Sequence, residues 1–156
     1  MRGSLFCRCV VVAITLIGRI VYAEGYVTTS PGIEVVTQAE KRVVTSTPEG
    51  PSVEFVRADQ LRIGDEICYT LRVRNTTNAP IEAPVIVKSL PRNTEYVIDS
   101  AVGPAASVAL SFDGGSTFVD AEQGGPIRSL SHIRWQLRHP LAPGAIALLR
   151  FRGIFE

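Results

Sequence analysis

Over residues 66–74 apolar and polar side chains alternate without a break. Ile67, Tyr69, Leu71 and Val73 fall on one side, and Glu66, Cys68, Thr70, Arg72 and Arg74 on the other. A period of two over this length predicts a strand with one buried and one wet face. Gly64-Asp65 turns the chain into it, and the polar run from Asn75 to Pro80 turns it out. Residues 132–138 alternate in the same way, with Ile133, Trp135 and Leu137 inward, and the last strand places Ala147, Leu149 and Phe151 on one face.

Shorter candidates lie between these. Val53 to Arg57 precedes the first strand. Pro80 and Pro84 bracket Ile81-Glu82-Ala83, Val85 to Lys88 follows, and Glu95 to Ile98 comes next. Two short strands flank Asp113-Gly114-Gly115-Ser116, a strong hairpin signal. No stretch after residue 24 has a sustained helical period with caps. About seven or eight short strands separated by Gly/Pro turns predict an all-β fold, an antiparallel β-sandwich with Tyr69 and Trp135 in its core. A small closed barrel is the rival; irregular strand spacing and proline at one edge count against it.

Residues 24–51 are rich in Thr, Ser, Pro and Gly, and read as an exposed arm with one strand from Ile33, extended at most by residues 42–45. Residues 52–156 then form the sandwich domain. At 156 residues the chain suits one domain with a real core.

Charge adds an address. The formal net charge is +1, which gives no basic footprint for nucleic acid. Arg2, Arg8 and Arg19 precede residue 24 while no acid does; without them the 16 basic residues become 13 against 15 acidic ones, a remainder of −2. Arginines, then an apolar run over residues 10–17, then Val21-Tyr22-Ala23, are the layout of a secretory signal peptide over residues 1–23. The run is too short to cross a bilayer, which takes about 20 residues. The alternative is an uncleaved N-terminal anchor. Cys7 and Cys9 precede the apolar run, which argues against a lipid anchor. Cleavage after Ala23 leaves Cys68 alone and allows no internal disulfide. An exported protein of the periplasm or cell surface is expected, with no stable membrane span after cleavage.

Little chemistry can be assembled. The only histidines are His132 and His139, and there is no His-Glu-x-x-His, paired-cysteine or Gly-x-Ser-x-Gly signature. Ser131 and His132 are neighbours, and adjacent strand residues point to opposite faces, which makes a nucleophile–base pair awkward. Asp113, with Asp120 and Glu122 nearby, offers oxygens for calcium, but the alternate-oxygen spacing is missing and a hairpin turn explains the same residues. Gly124-Gly125-Pro126 is too short for a phosphate cradle. Arg72, Arg74, Arg134, Arg138, Arg150 and Arg152 alternate along three strands, either as a basic stripe for an anionic envelope polymer or as a solvated sheet face. Asn75-Thr76-Thr77 meets the glycosylation pattern, a triplet common by chance.

The segment Ile63-Gly64-Asp65-Glu66 leading to Tyr69-Thr70-Leu71-Arg72-Val73-Arg74-Asn75 resembles the core of a bacterial cell-surface repeat, the family called domain of unknown function eleven. The likeness continues through Ala83-Pro84-Val85 and Leu90-Pro91-Arg92-Asn93-Thr94-Glu95-Tyr96-Val97. It extends to the hairpin at Asp113, to Ile133-Arg134-Trp135 and to Leu141-Ala142-Pro143-Gly144, and so covers residues 53–155. It implies an immunoglobulin-like sandwich on an exported or envelope protein, and offers no known catalytic residues to carry over. Two features depart from the pattern: Lys88-Ser89 replaces the family's Asp before Leu-Pro, and the chain shows no internal repeat.

The expected function is therefore a non-enzymatic envelope module, binding or structural, that acts through strand edges or end loops without metal or cofactor. Its partners are other envelope proteins or an envelope polymer. Ile81, Glu82, Val85, Ile86 and Lys88 are the candidate edge, together with the arm before Pro48. The alternative is an accessory subunit of an exported enzyme or of a secretion or assembly machine, meeting its partner through the loop at Asp120, Glu122 and Gln123. Intact-mass measurement of the exported protein should show a chain beginning at Glu24, because Val21 and Ala23 fit the small-residue cleavage pattern. A mass that retains residues 1–23 would make the protein tethered.

Overall fold

A computed structural model describes residues 25–156; the expected signal segment lies outside the described residues. Ten strands lie in this range: β1 (Val27–Thr29), β2 (Ile33–Thr47), β3 (Gly50–Arg57), β4 (Glu66–Asn75), β5 (Val85–Ser89), β6 (Thr94–Tyr96), β7 (Ala106–Ser111), β8 (Val119–Asp120), β9 (His132–Leu137) and β10 (Ile146–Phe155). Two single-turn 3₁₀ helices, Ala121–Gln123 and Ile127–Ser129, sit before β9. The strands form two five-stranded antiparallel sheets, ordered β1-β5-β9-β7-β8 and β3-β2-β4-β10-β6. This is the expected all-β sandwich, and neither sheet closes into a barrel.

The alternation in β4 does what its pattern dictates. Ile67, Tyr69, Leu71 and Val73 are buried, while Arg72 and Arg74 on the other side are exposed. β10 pairs with β4 along nine consecutive positions, from Ile146↔Arg74 to Ile154↔Glu66. This register sets Phe151 opposite Tyr69, and their rings stack at 4.6 Å and 12°. Trp135 arrives from the opposing sheet with its ring 6.2 Å from Phe151 and no solvent exposure. Ile86, Leu110, Ile133 and Leu137 complete the first sheet's share of the core. Trp135 Nε1 is buried without a hydrogen-bond partner, so its ring is held by apolar packing alone.

At the end of β10 the packing depends on one glycine. A Cβ on Gly153 would lie 2.2 Å from Thr94 Cγ2, so the missing side chain is what lets β6 pair alongside.

The arm expected over residues 24–51, as far as it is described (from residue 25), instead contributes strands to both sheets. β1 joins the first sheet beside β5, and after the turn at Pro31-Gly32 β2 joins the second beside β4. The reason is chain economy: a strand in each sheet on either side of a tight turn satisfies backbone groups that an arm would leave to water.

Truncating Trp135 to Ala should remove the one ring that bridges the two sheets against Phe151. A loss of about 3–5 kcal/mol is expected, read as a lower urea midpoint with an unchanged slope. An unaltered midpoint would show that the bridge carries no stability.

Candidate functional site

The candidate edge is not an edge. β1 covers β5 with Val27↔Lys88, Thr28↔Val87 and Thr29↔Ile86 in register. Around this short ladder, Ser30 Oγ accepts the Val85 N–H at 3.0 Å, and Ser89 Oγ accepts the Tyr26 N–H at 2.8 Å. Ile86 and Lys88 are buried, and Lys88 Nζ donates to the Gly25 carbonyl at 3.1 Å. Ile81 makes an isolated bridge with Leu141, and only Glu82 of the five is fully exposed. Three residues of strand, too few to show a period, are enough to close the edge that proline suggested.

The candidate loop keeps its exposure. Asp120 accepts the Glu122 N–H at 3.0 Å and so caps its own 3₁₀ turn, while Glu122 and Gln123 face solvent. A Cβ on Gly125 would lie 2.4 Å from the Phe112 ring, so close contact with that ring fixes the loop's far end. Asp113 is committed elsewhere. Its carboxylate accepts from Thr117 Oγ1 at 2.6 Å, the Thr117 N–H, Ser111 Oγ at 2.8 Å and the Ser116 N–H. The Thr117 bonds, with those from Ser111 and Ser116, pull its pKa down to about 2. These oxygens hold the hairpin loop together. Among the described residues no group of three or more His, Cys, Asp or Glu side chains could hold a metal ion.

Ser131 and His132 do meet, against expectation: Ser131 Oγ lies 3.1 Å from His132 Nδ1. Ser131 precedes β9, so strand alternation does not govern it. The direction of the bonds decides the chemistry. Ser131 Oγ donates to the Ser111 carbonyl at 3.0 Å and accepts the Gly114 N–H at 3.0 Å. With its only proton spent, the hydroxyl can only accept from the imidazole, which assigns the proton to Nδ1. Nε2 then accepts from the Tyr26 hydroxyl at 2.5 Å. A general base needs the opposite polarity, taking the serine's proton. The Tyr26–His132–Ser131 chain is thus a latch that ties the N-terminal segment to the first sheet. Asn75 is used in a similar way. Its buried amide donates to the Ala79 and Leu141 carbonyls, both at 2.8 Å, so the glycosylation triplet is structural in the folded chain.

The remaining unusual surface is on the second sheet, and its full extent escaped sequence reading. β2 pairs with β4 only as far as Lys41↔Ile67; past that point it runs on with β3 alone, to Thr47↔Gly50. The result is a two-stranded ribbon reaching about 20 Å beyond the sheet at strand rise. Ion pairs brace its base: Lys41 to Asp65 at 3.2 Å, and Glu66 to both Arg42 and Arg152, at 3.7 and 2.7 Å. Burial works to raise the Asp65 pKa, but the Arg62 N–H and the Lys41 ammonium outweigh it and the pKa falls. On the ribbon's outer side Val44 sits opposite Val53, next to Phe55, and all three are about half exposed. The arginine stripe divides between sheets. Arg72, Arg74, Arg150 and Arg152 share this outer face, while Arg134 lies on the first sheet with its guanidinium 4.5 Å from the Phe118 ring centroid. Arg138 lies just past the end of β9.

Comparison with protein-family models, with curated proteins and with solved structures finds no match. Among the described residues no helix is long and apolar enough to cross a membrane.

The latch gives the fold an acid-sensitive component. Desolvation lowers the His132 pKa below its ordinary 6.5, against the opposing pull of the Asp113 charge. The folded state therefore binds this proton less readily than the unfolded chain. The stability is fully present above the unfolded value and is lost as pH falls through the lower folded one. Urea midpoints of the parent should decline below about pH 6.5, and His132→Gln should flatten that part of the curve. An equally steep decline in the variant would assign it to other groups.

Proposed function

We propose that this chain is a non-catalytic binding or structural module of the cell envelope, exported in the manner its first residues suggest. It makes contact through the β2–β3 ribbon. One observation carries the reading: Val44, Val53 and Phe55 stand half-exposed on one side of a ribbon that leaves the sheet and contributes nothing to the core. Apolar side chains in that position add nothing to the buried core, and aromatic residues of this kind anchor protein interfaces. An apolar strip favours an envelope protein as partner over an anionic polymer.

Two further points support the reading. The polar cluster at His132 has its donors and acceptors spent on structure. The resemblance of residues 53–155 to the bacterial surface repeat also points to the cell surface. Part of this site lies in the arm before Pro48, one of the expected edge contacts; residues 86–88 drop out because β1 covers them, and Ile81 because it bridges to Leu141.

Photo-crosslinking side chains placed at Val44 or Phe55 in exporting cells should give protein adducts, and the same probe at Asp120 or Gln123 should not. Phe55→Ala should weaken the captured complex by about 2 kcal/mol, roughly thirtyfold. Adducts confined to the Asp120 loop would favour an accessory subunit that uses that loop. A hydrolytic activity abolished by Ser131→Ala would end the non-catalytic reading.

A further inference from the structure

Each sheet ends on two edge strands, and three of the four are short. β1 has three residues, β8 two and β6 three, whereas β3 has eight. Short edges protect a sheet from strand addition. β3 lacks that protection, and among the described residues no strand pairs along its outer side.

The phase of the ladder shows what this edge offers. Ala58 donates its N–H to the Ala39 carbonyl at 3.2 Å, one step beyond the Glu40↔Arg57 pair. Bonding and outward-facing residues alternate along an antiparallel strand. Val56, Glu54 and Ser52 therefore bond to β2, while Arg57, Phe55, Val53 and Pro51 direct their backbone groups outward, the Arg57 carbonyl already accepting the Asp59 N–H at 2.9 Å with one lone pair left. Pro51 has no N–H to give. The free edge thus presents the N–H groups of Val53, Phe55 and Arg57 in a row.

We propose that β3 of a second copy of this chain occupies this edge, antiparallel about a two-fold axis at Phe55. The proposal rests on the ribbon reading above and names its partner. The possible axes are not equivalent: one at Val56 sets Val53 opposite Asp59, past the end of β3, and uses less of the edge. An axis at Val53 sets Pro51 opposite Phe55 at both ends, and each proline withholds a bond. An axis at Glu54 sets that carboxylate against its own copy in a non-hydrogen-bonded pair, where side chains are closest and like charges repel. An axis at Phe55 avoids these faults. It joins two phenyl rings, sets Val53 opposite Arg57 with every outward N–H bonded, and puts Glu54 opposite Val56. The outer faces then lie on the same side, so Val44, Val53 and Phe55 of both copies merge into one apolar strip.

Single cysteine substitutions in the full chain read this register directly. In the proposed pairing the two copies of residue 55 are about 5.5 Å apart between Cα atoms, within disulfide range. Those of residue 54 are about 8 Å apart, and those of residue 53 about 14 Å. Under mild oxidation Phe55→Cys should give a covalent dimer. Val53→Cys and Glu54→Cys should not exceed the unsubstituted chain, whose native cysteines set the baseline. Val53→Pro removes one outward N–H and spares the β2 ladder. It should lose the concentration-dependent dimer seen by sedimentation while keeping the parent's circular dichroism. Equal cross-linking at 53 or 54, or a parent that stays monomeric at every concentration, overturns self-pairing. Photo-adducts from position 55 to another protein, with no dimer from Phe55→Cys, overturn it too while the ribbon reading stands. Adducts only to a second copy support it.

Discussion

The fold depends on the ladder that β4 makes with both of its neighbours. β2 and β10 each take their register from it, through Thr37↔Leu71 on one side and Leu149↔Leu71 on the other. A slip of one residue in either pairing would carry a whole inward row to the wet face. The Tyr69–Phe151 stack opposes such a slip on the core side, and Glu66, gripping Arg42 and Arg152, opposes it outside. That outer grip also sets where the ribbon departs. Arg42 is the first β2 residue past the last β4 pair, so the ion pair that ends the sheet is also the foot of the projection. The acid-sensitive latch lies on the other sheet, and weakening it leaves this ladder untouched.

Cys68 is a free thiol on the outer face of β4, and a covalent crosslink among the described residues is absent. The chain itself fills that role. β1 belongs to one sheet and β2 to the other, and the turn between them closes one end of the sandwich. The Gly32 carbonyl, inside that turn, accepts both the Thr76 N–H and Thr76 Oγ1 at 2.9 Å, so it is anchored where β4 ends. The latch from Tyr26 to His132 secures the other end of the same segment. A peptide staple of this kind loses only the entropy of a short loop, which is modest.

Sequence reading succeeded where one face of a strand is dry and the other wet. β4, β9 and β10 show that contrast, and Trp135 and Tyr69 lie in the core their alternation predicts. It was weak where both faces are wet. From Arg42 to Thr47 the ribbon presents Val, Thr and Ser to solvent on both sides, and no period separates them from a loop. It was also weak where a strand is shorter than its own period, as in β1. Lys88 carries a further lesson. A lysine on the buried face of β5 reads as a surface residue until the carbonyl that accepts its hydrogen bond, at Gly25, is placed beside it. Ser131 and His132 were misjudged because a rule for strands was applied one residue outside the strand.

An exposed strand edge carries a standing risk of open-ended assembly, and the rest of the fold limits it. Heterologous contacts can extend without end, whereas a two-fold contact uses the same surface on both copies and closes. At the far side of the second sheet, β6 offers three residues, of which Thr94 and Tyr96 are buried. That edge cannot continue what β3 begins. In the first sheet β8 is shorter still, and β1 is held by the latch. Pro51 and Glu54 then narrow the choices along β3 itself, one by withholding a donor and the other by charge. The same two residues that make the edge a poor template for an arbitrary strand favour pairing centred nearer Phe55 in a matching one. An apolar ribbon can therefore persist without seeding a fibre, because a two-fold geometry that permits pairing also ends it at two chains.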